Sequence, residues 1–225
     1  MWRGTAVRGS EAIEMAATTR SADLDRIGGL DEQELAEALA VARRGHGVGF
    51  AVLWRSLQPA LLRYLRVVVG EAAEDVASET WLQAARDIRG FTGDVPAFRV
   101  WLFRIARHRG IDEQRRAARR LETPTGLTGT DDGITERDTA LDVLDRSATD
   151  WALRLIASLP PSQAEAVLLR VVAGLSVAQA ATVLGKRPGT VRVAAMRGLR
   201  RLANHPQVQR RQVGRPRAGG GPRSA

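Results

Sequence analysis

The sequence predicts an all-α fold of two small helical domains joined by a flexible linker. Apolar residues recur at spacings of three and four along both halves of the chain, a pattern typical of amphipathic helices. No segment shows the strict alternation of a half-buried strand. Between the two halves, residues 121–150 combine turn-forming residues, few apolar side chains and about eight acids against two arginines, which is typical of a linker. Within it, residues 138–146 are the part suited to a helix.

The composition indicates the kind of partner and the cellular compartment. The 225 residues carry a net charge of +9 and the sequence pI is about 11.4, which favours a polyanionic partner, nucleic acid before a membrane surface. Cysteine is absent, which excludes a disulfide framework and suits a reducing cytosol. No apolar run approaches the roughly 20 residues of a membrane span, and the first 25 residues lack the apolar centre of a signal peptide. We therefore expect a cytoplasmic protein without a membrane span.

Changes of composition along the chain predict five parts. They are a disordered extension (1–28), a helical domain (29–120), the acidic linker (121–150), a second helical domain (151–204) and a disordered basic tail (205–225).

Within the first domain, helical spacing predicts helices from Asp31, over 50–70, over 71–88 and over 99–120, with a loop at 89–98. Pro59 lies inside the second of these helices and is expected to kink it. Glu71, Asp75 and Glu79 stand four residues apart and predict an acidic face on the third helix. The fourth helix is long and rich in arginine.

The second domain carries the signals of a helix-turn-helix. Pro161 is suited to the first turn of a helix, Ser176 and Gln179 have the spacing of a capping box, and Gly185 fits a helix stop. The following helix, "GTVRVAAMRGLRRL" at 189–202, divides into an apolar stripe and a cationic face. The stripe consists of Val191, Ala195, Leu199 and Leu202; Thr190, Val193, Arg197, Arg200 and Arg201 lie opposite, with Arg192 at the border.

Enzymatic functions find little support. His46, His108 and His205 are far apart and lack neighbours of metal-ligand type. The segment "GKRPGT" lacks the Lys-Ser/Thr pair of a phosphate-binding loop. We expect no catalytic residue, no metal and no cofactor.

Three motifs in order give the chain a family resemblance. "AEDVASETWLQAARDI", "FTGDVPAFRVWLFRIARHRGID" and "SLPPSQAEAVLLRVVAGLSVAQAATVLGKRPGTVR" resemble regions 2.2, 2.3–2.4 and 4 of the extracytoplasmic-function (ECF, group 4) sigma factors of the sigma-70 family. The resemblance covers about 45–120 and 151–203. It implies an RNA polymerase sigma factor, with 29–120 as the region 2-like domain and 151–204 as the region 4-like domain.

The resemblance also implies site residues. Asp75, Ser78 and Glu79 match positions that dock on core RNA polymerase. The loop at 89–98 and the start of the basic helix resemble the part that reads and melts the −10 element. The implied −10 contacts are Phe91, Trp101, Phe103, Arg104, Ile105, Arg107 and His108, and the implied −35 contacts are Gly189, Thr190, Arg192, Val193, Arg197 and Arg200.

The partners implied are core RNA polymerase, promoter DNA and an anti-sigma factor, which would cover the acidic and apolar surfaces of 71–88 and 189–202. The alternative is a conventional helix-turn-helix regulator that uses 30–120 for dimerisation or sensing and acts without core polymerase. That alternative predicts tight operator binding by the protein alone. The basic, aromatic segment 99–120 argues against a mere sensor domain.

Overall fold

A computed structural model describes residues 30–122 and 140–213, and within these ranges every regular element is helical. The all-α prediction is confirmed for this part of the chain. The predicted N-terminal extension, the linker residues 123–139 and the end of the tail lie outside the described residues.

The first bundle contains four helices: α1 Glu32–Arg43, α2 Gly47–Val69, α3 Ala73–Asp87 and α4 Val95–Glu122. Short 3-10 turns, Gly70–Ala72 and Ile88–Gly90, precede and follow α3. Helix α1 begins with a capping box, because the side chains of Asp31 and Glu34 each accept a hydrogen bond from the backbone nitrogen of the other, both at 2.8 Å. The buried stripe of α2 occupies the centre of the bundle; it consists of Leu53, Leu57, Leu61, Tyr64 and Leu65.

Pro59 does not interrupt α2, which runs for 23 residues. Proline removes one backbone donor and leaves the carbonyl four residues earlier, that of Arg55, without its helical partner. Both Pro59 and Arg55 are exposed, so water can satisfy that carbonyl. The flanking leucines Leu57 and Leu61 are buried and hold both halves of the helix in the core.

The loop between α3 and α4 is shorter than the predicted 89–98, because α4 already begins at Val95. Asp94 is the reason. Its side chain accepts a hydrogen bond from the backbone nitrogen of Ala97 at 2.8 Å, and its carbonyl accepts one from Phe98. An aspartate before the first turn with a proline inside that turn, here Pro96, is a helix-start signal readable in the sequence.

The second bundle contains α5 Ala140–Ala157, α6 Pro161–Val167, α7 Val177–Leu184, α8 Pro188–Ala203 and α9 Pro206–Val213; a π-helical segment, Leu168–Val172, extends α6. The predicted signals are confirmed. Pro161 opens α6, Ser176 and Gln179 form a reciprocal capping box on α7, and Gly185 ends α7 in the left-handed region with φ 64°. Helices α7 and α8 are the helix-turn-helix.

Helices also lie within the predicted linker and within the predicted disordered tail. Helix α5 begins at Ala140, inside the predicted linker, where the sequence runs from 140 to 158 without glycine or proline. Helix α9 occupies 206–213 of the predicted disordered tail. It begins at Pro206, and the carbonyl of His205 accepts hydrogen bonds from the backbone nitrogens of Val208 and Gln209.

The two bundles pack against each other. Helix α2 contacts α5 and the π-helical segment, and α4 contacts α7. The buried apolar residues of both bundles form one continuous cluster. The sequence predicts two bodies and a linker, and it contains no pattern that places one body on the other.

Candidate nucleic-acid and polymerase interfaces

Helix α3 presents a polar face that meets the sequence prediction. Asp75, Ser78 and Glu79 are all exposed, because the opposite face, which includes Val76 and Ala77, is buried in the bundle. The spacing of three and four residues places the three side chains on one surface. We call Asp75, Ser78 and Glu79 the acidic face.

Arg109 of α4 borders the acidic face. Its Nε and Nη2 donate hydrogen bonds to Oε1 of Gln83 at 3.2 and 2.9 Å, and its Nη1 lies 3.8 Å from Oε2 of Glu79. The Glu79 side chain is still 45% exposed, so it remains available to a cation on a partner. The sequence prediction did not include Arg109 or Gln83.

Trp81 fixes the orientation of α3 on α2. Its indole nitrogen donates to Oε1 of Gln58 at 2.6 Å, and its ring packs edge-to-face on Phe50 with centroids 5.5 Å apart. Leu82, the next residue along α3, is 58% exposed and adds an apolar contact surface to this helix.

Three aromatic rings meet where the 3-10 turn after α3 leads into α4. The rings of Phe91, Phe98 and Trp101 lie with centroids 5.1 to 5.6 Å apart. Phe98 is fully buried, whereas Phe91 and Trp101 are half-buried. These two rings form part of the wall of an open depression, which Arg86, Asp87, Gly90 and Thr92 complete. We call this depression the aromatic pocket.

Two residues predicted to contact the −10 element lie in the core instead. Phe103 is 1% exposed and packs edge-to-face on Tyr64 with centroids 5.5 Å apart, and Ile105 is 7% exposed. Burial keeps both side chains away from DNA in this arrangement, and their contacts with the −10 element remain a prediction. The spacing of Phe98, Leu102 and Ile105 already marks one helical stripe, and that stripe faces the bundle.

The cations of α4 divide into two groups. Arg104 and His108 are exposed and lie one turn apart on the same face. Arg107 is not free: its Nε donates to Oε1 of Glu165 on α6 at 3.1 Å, and only 20% of its side chain is exposed. The predicted DNA contact of Arg107 is not available in this arrangement.

The end of α4 is also strongly basic, but part of its charge is neutralised internally. Glu113 accepts hydrogen bonds from Arg120 and Arg116. The hydrogen bond from Arg120, followed by that from Arg116, holds the pKa of the Glu113 carboxyl below its usual range. This carboxylate stays charged and reduces the positive field at the end of α4.

Helix α8 carries the predicted cationic face. Its −35 residues are all exposed; they are Gly189, Thr190, Arg192, Val193, Arg197 and Arg200. The predicted apolar stripe is confirmed, since Val191 and Ala195 are buried and Leu199 and Leu202 pack half-buried against the core.

Gly198 lets α8 approach α6 closely. A Cβ at this position would lie 2.8 Å from Cγ2 of Val167 and 3.3 Å from Cδ1 of Leu159. The exposed face of α8 gains further charge from Lys186 and Arg187 in the turn before it. Lys186, Thr190 and Arg197 line a common groove with Ser162 and Gln163 of α6. The sequence prediction omitted Gly198, Lys186 and Arg187.

No group of histidine, cysteine or acidic side chains in the described ranges is arranged to hold a metal ion. None of the described helices is long and apolar enough to cross a membrane.

Comparison with known proteins assigns the family. The family model "Sigma-70 region 2" matches residues 53–120, and "Sigma-70, region 4" matches residues 149–202. The chain is 35% identical over 175 residues to the ECF RNA polymerase sigma factor BldN of Streptomyces coelicolor, a match that covers 77% of this chain and 66% of BldN. It is 34% identical over 158 residues to the ECF sigma factor ShbA of Streptomyces griseus, covering 65% of this chain and 81% of ShbA.

Solved structures share the fold. CnrH in complex with the cytosolic domain of CnrY superposes with a TM-score of 0.54 at 23% identity, covering 76% of this chain and 95% of CnrH. RpoE of Bartonella quintana, in complex with the anti-sigma factor NepR, gives a TM-score of 0.53 at 23% identity, covering 74% and 98%. The chain belongs to the ECF sigma factors of the sigma-70 family, and it is an RNA polymerase sigma factor.

Proposed function

We propose that the chain directs promoter recognition with its two domains acting on different parts of the transcription machinery. Residues 29–120 bind core RNA polymerase and open the −10 element, and residues 151–204 read the −35 element. The observation that supports this division is the separation of charge. The acidic face lies on α3, whereas the exposed cations that the sequence predicts to contact DNA lie on α4 and α8.

The acidic face is suited to a basic surface of the core enzyme. Three exposed polar groups on one helix face contact such a surface without moving the helix, since Trp81 and Arg109 already fix its orientation. Complementary charge also raises the rate at which two proteins associate. Catalysis of RNA synthesis stays with the core enzyme, and the chain has no enzymatic activity of its own.

The aromatic pocket is suited to an unpaired base. A base that leaves the duplex needs a stacking surface and nearby cations that hold its backbone. Phe91 and Trp101 supply ring surface, and Arg86 lies at the rim. Arg104 and His108, exposed on α4, are placed to hold the adjacent strand.

Helix α8 is suited to the major groove. Arg192, Arg197 and Arg200 can reach phosphates or guanine edges, and Val193 can contact a thymine methyl group. The Thr190 hydroxyl and the backbone N–H of Gly189, in the first turn of α8, can bind a phosphate. Lys186 and Arg187 add two further phosphate contacts at the same end.

The partners follow from these surfaces. They are core RNA polymerase, promoter DNA and an anti-sigma factor, the last supported by the complex of the structurally similar RpoE with NepR. An anti-sigma factor would inhibit by covering the acidic face or the exposed face of α8. The protein acts in the cytoplasm, where the polymerase and the chromosome are.

Run-off transcription with purified core polymerase tests the proposal. Adding the protein should produce a defined transcript from a cognate promoter selected from genomic DNA, and omitting it should produce none. A gel shift on the same DNA without core should show weak binding. The opposite pattern, tight binding by the protein alone and no transcript, would favour the conventional helix-turn-helix regulator.

A further inference from the structure

One polar cluster joins the two bundles. Oε1 of Glu165, on α6 of the second bundle, accepts hydrogen bonds from Nε of Arg107 at 3.1 Å and from the Tyr64 hydroxyl at 3.4 Å. Arg107 and Tyr64 belong to α4 and α2 of the first bundle. We call these three residues the interdomain cluster.

The interdomain cluster is shielded from water. Tyr64 is fully buried, and the side chains of Arg107 and Glu165 are only 20% and 19% exposed. Burial, with the nearby Glu165 charge as the next contribution, raises the pKa of the Tyr64 hydroxyl. Tyr64 therefore remains a protonated donor across the physiological pH range. While the bundles are packed together, these two donors satisfy the largely buried carboxylate of Glu165, and on separation water must replace them.

The packed arrangement does not fit a promoter. The positions named −35 and −10 lie about 25 base pairs apart, which is roughly 85 Å of B-DNA at 3.4 Å per base pair. A compact body of roughly 170 residues has a radius of gyration of about 15 Å and a diameter of about 40 Å. The face of α8 and the face of α4 cannot reach both elements until the bundles separate.

Arg107 has a role both when the bundles are packed together and when they are separated on DNA. It lies three residues after Arg104 and one before His108, on the helix proposed to hold the −10 strand. In the packed form Nε of its guanidinium donates to Glu165, and only 20% of the side chain is exposed, so little of this cation is accessible to a phosphate. Glu165 carries a negative charge, as a DNA phosphate does, and therefore competes with phosphate for the same guanidinium.

We propose that the interdomain cluster is an autoinhibitory latch: the free chain is closed by Glu165, and opening transfers Arg107 from Glu165 to promoter DNA. This inference rests on the proposed function of α4 and adds a mechanism that keeps the free protein from binding DNA. It makes Glu165 a regulatory residue, although it lies outside the proposed contact surfaces for core polymerase and DNA.

Distance measurements on the full chain test the closure. Because the sequence has no cysteine, spin labels can be attached at Gln33→Cys and Gln207→Cys, two exposed positions on different bundles. In the labelled protein with an unaltered interdomain cluster, the two spin labels should be separated by a single short distance. Glu165→Gln should add a longer population at least threefold larger than any in the parent, and Tyr64→Phe, which removes only the hydroxyl, should shift the distribution in the same direction by less.

Affinity for a fluorescein-labelled 30-nucleotide single-stranded DNA, measured without core, tests the transfer of Arg107. Glu165→Gln should bind about three- to tenfold more tightly. Asp150→Asn is the matched control, because it removes the same charge from an exposed site on the second bundle. In an Arg107→Gln background, the effect of Glu165→Gln on DNA affinity should disappear.

Equal distances and equal affinities for Glu165→Gln and Asp150→Asn would overturn the latch. A longer population without a gain in DNA affinity would overturn the transfer of Arg107. Unfolding curves of both variants show whether either result comes from loss of fold, and Tyr64→Phe then provides the test. Failure of the parent protein to support run-off transcription would instead overturn the proposed function and leave the distance result standing.

Discussion

At the scale of single residues, Glu79 tests the polymerase interface. We expect Glu79→Arg to lower affinity for core polymerase at least tenfold, because it places a cation where the proposed partner surface is basic. Glu79 is exposed and its contact with Arg109 is long, at 3.8 Å, so the helix content should not change. Affinity is measured by fluorescence anisotropy, with Glu37→Arg on α1 as the control. Wild-type affinity in Glu79→Arg would reject the role of the acidic face.

Arg197 tests the −35 interface in the same way. Arg197→Ala should weaken binding of the holoenzyme to −35 DNA and reduce the slope of log affinity against log salt by about one, because one phosphate contact is lost. Arg43→Ala, an exposed arginine on α1, is the control and should leave the slope unchanged. If promoter preference and slope are the same in both variants, Arg197 does not contact DNA.

The sequence predicts which side chains are exposed better than it predicts which partner each side chain contacts. The exposure of Asp75, Glu79 and Arg197 follows from helical spacing, since the opposite faces of α3 and α8 are apolar. Family position assigns Phe103 and Ile105 to DNA, whereas both side chains are buried here; helical spacing places Ile105, with Phe98 and Leu102, on the face toward the core. Arg107 could not be judged from the sequence, because its partner Glu165 lies 58 residues away.

At the scale of elements, one glycine sets how closely α1 packs on α2. A Cβ at Gly49 would press on the backbone oxygen of Ala38 and lie 2.7 Å from the backbone nitrogen of Ala42. Backbone cannot move aside as a flexible side chain does, so Gly49→Ala should lower the free energy of unfolding by about 1–3 kcal/mol. Urea denaturation measures the change.

Gly47, two residues earlier in α2, is the matched control. A Cβ there meets no atom within 4 Å, so Gly47→Ala should leave the protein unchanged or stabilise it by up to about 1 kcal/mol. Equal effects at the two glycines would show that helix propensity, and not the approach of α1, determines the result.

Helix boundaries agree with the prediction where a capping residue, a glycine stop or a first-turn proline was used to predict them. The capping box of α7 and the glycine stop at Gly185 were predicted from residue types alone. The predicted start of α4 at residue 99 is too late, although Asp94 and Pro96 are a helix-start signal. The prediction of a disordered tail does not include α9, because the composition around it is that of a basic, low-complexity tail. The course of α2 through Pro59 depends on burial of its neighbours, which a local rule does not contain.

At the scale of the whole molecule, the packing of the two bundles is the feature least accessible to sequence patterns. The buried apolar residues of both bundles form one continuous cluster, and the apolar spacing of each helix does not distinguish residues that pack within a bundle from residues that pack between bundles. The polar contact between the bundles depends on three residues spread over 101 positions. The segment that connects the bundles must therefore span a short distance in the compact free form and a long distance in the extended promoter-bound form.

The length of that segment sets whether both promoter elements can be reached. Passing from about 40 Å to roughly 85 Å requires about 45 Å of additional reach; the 17 residues at 123–139 can extend to about 60 Å and nine residues to only about 32 Å. Deleting eight of them should lower run-off transcription from a promoter with both elements at least tenfold, with affinity for core unchanged. Replacing the same eight residues by glycine and serine keeps the reach and should keep activity within about twofold. If the replacement fails as severely as the deletion, the sequence of the segment matters and its reach does not limit promoter recognition.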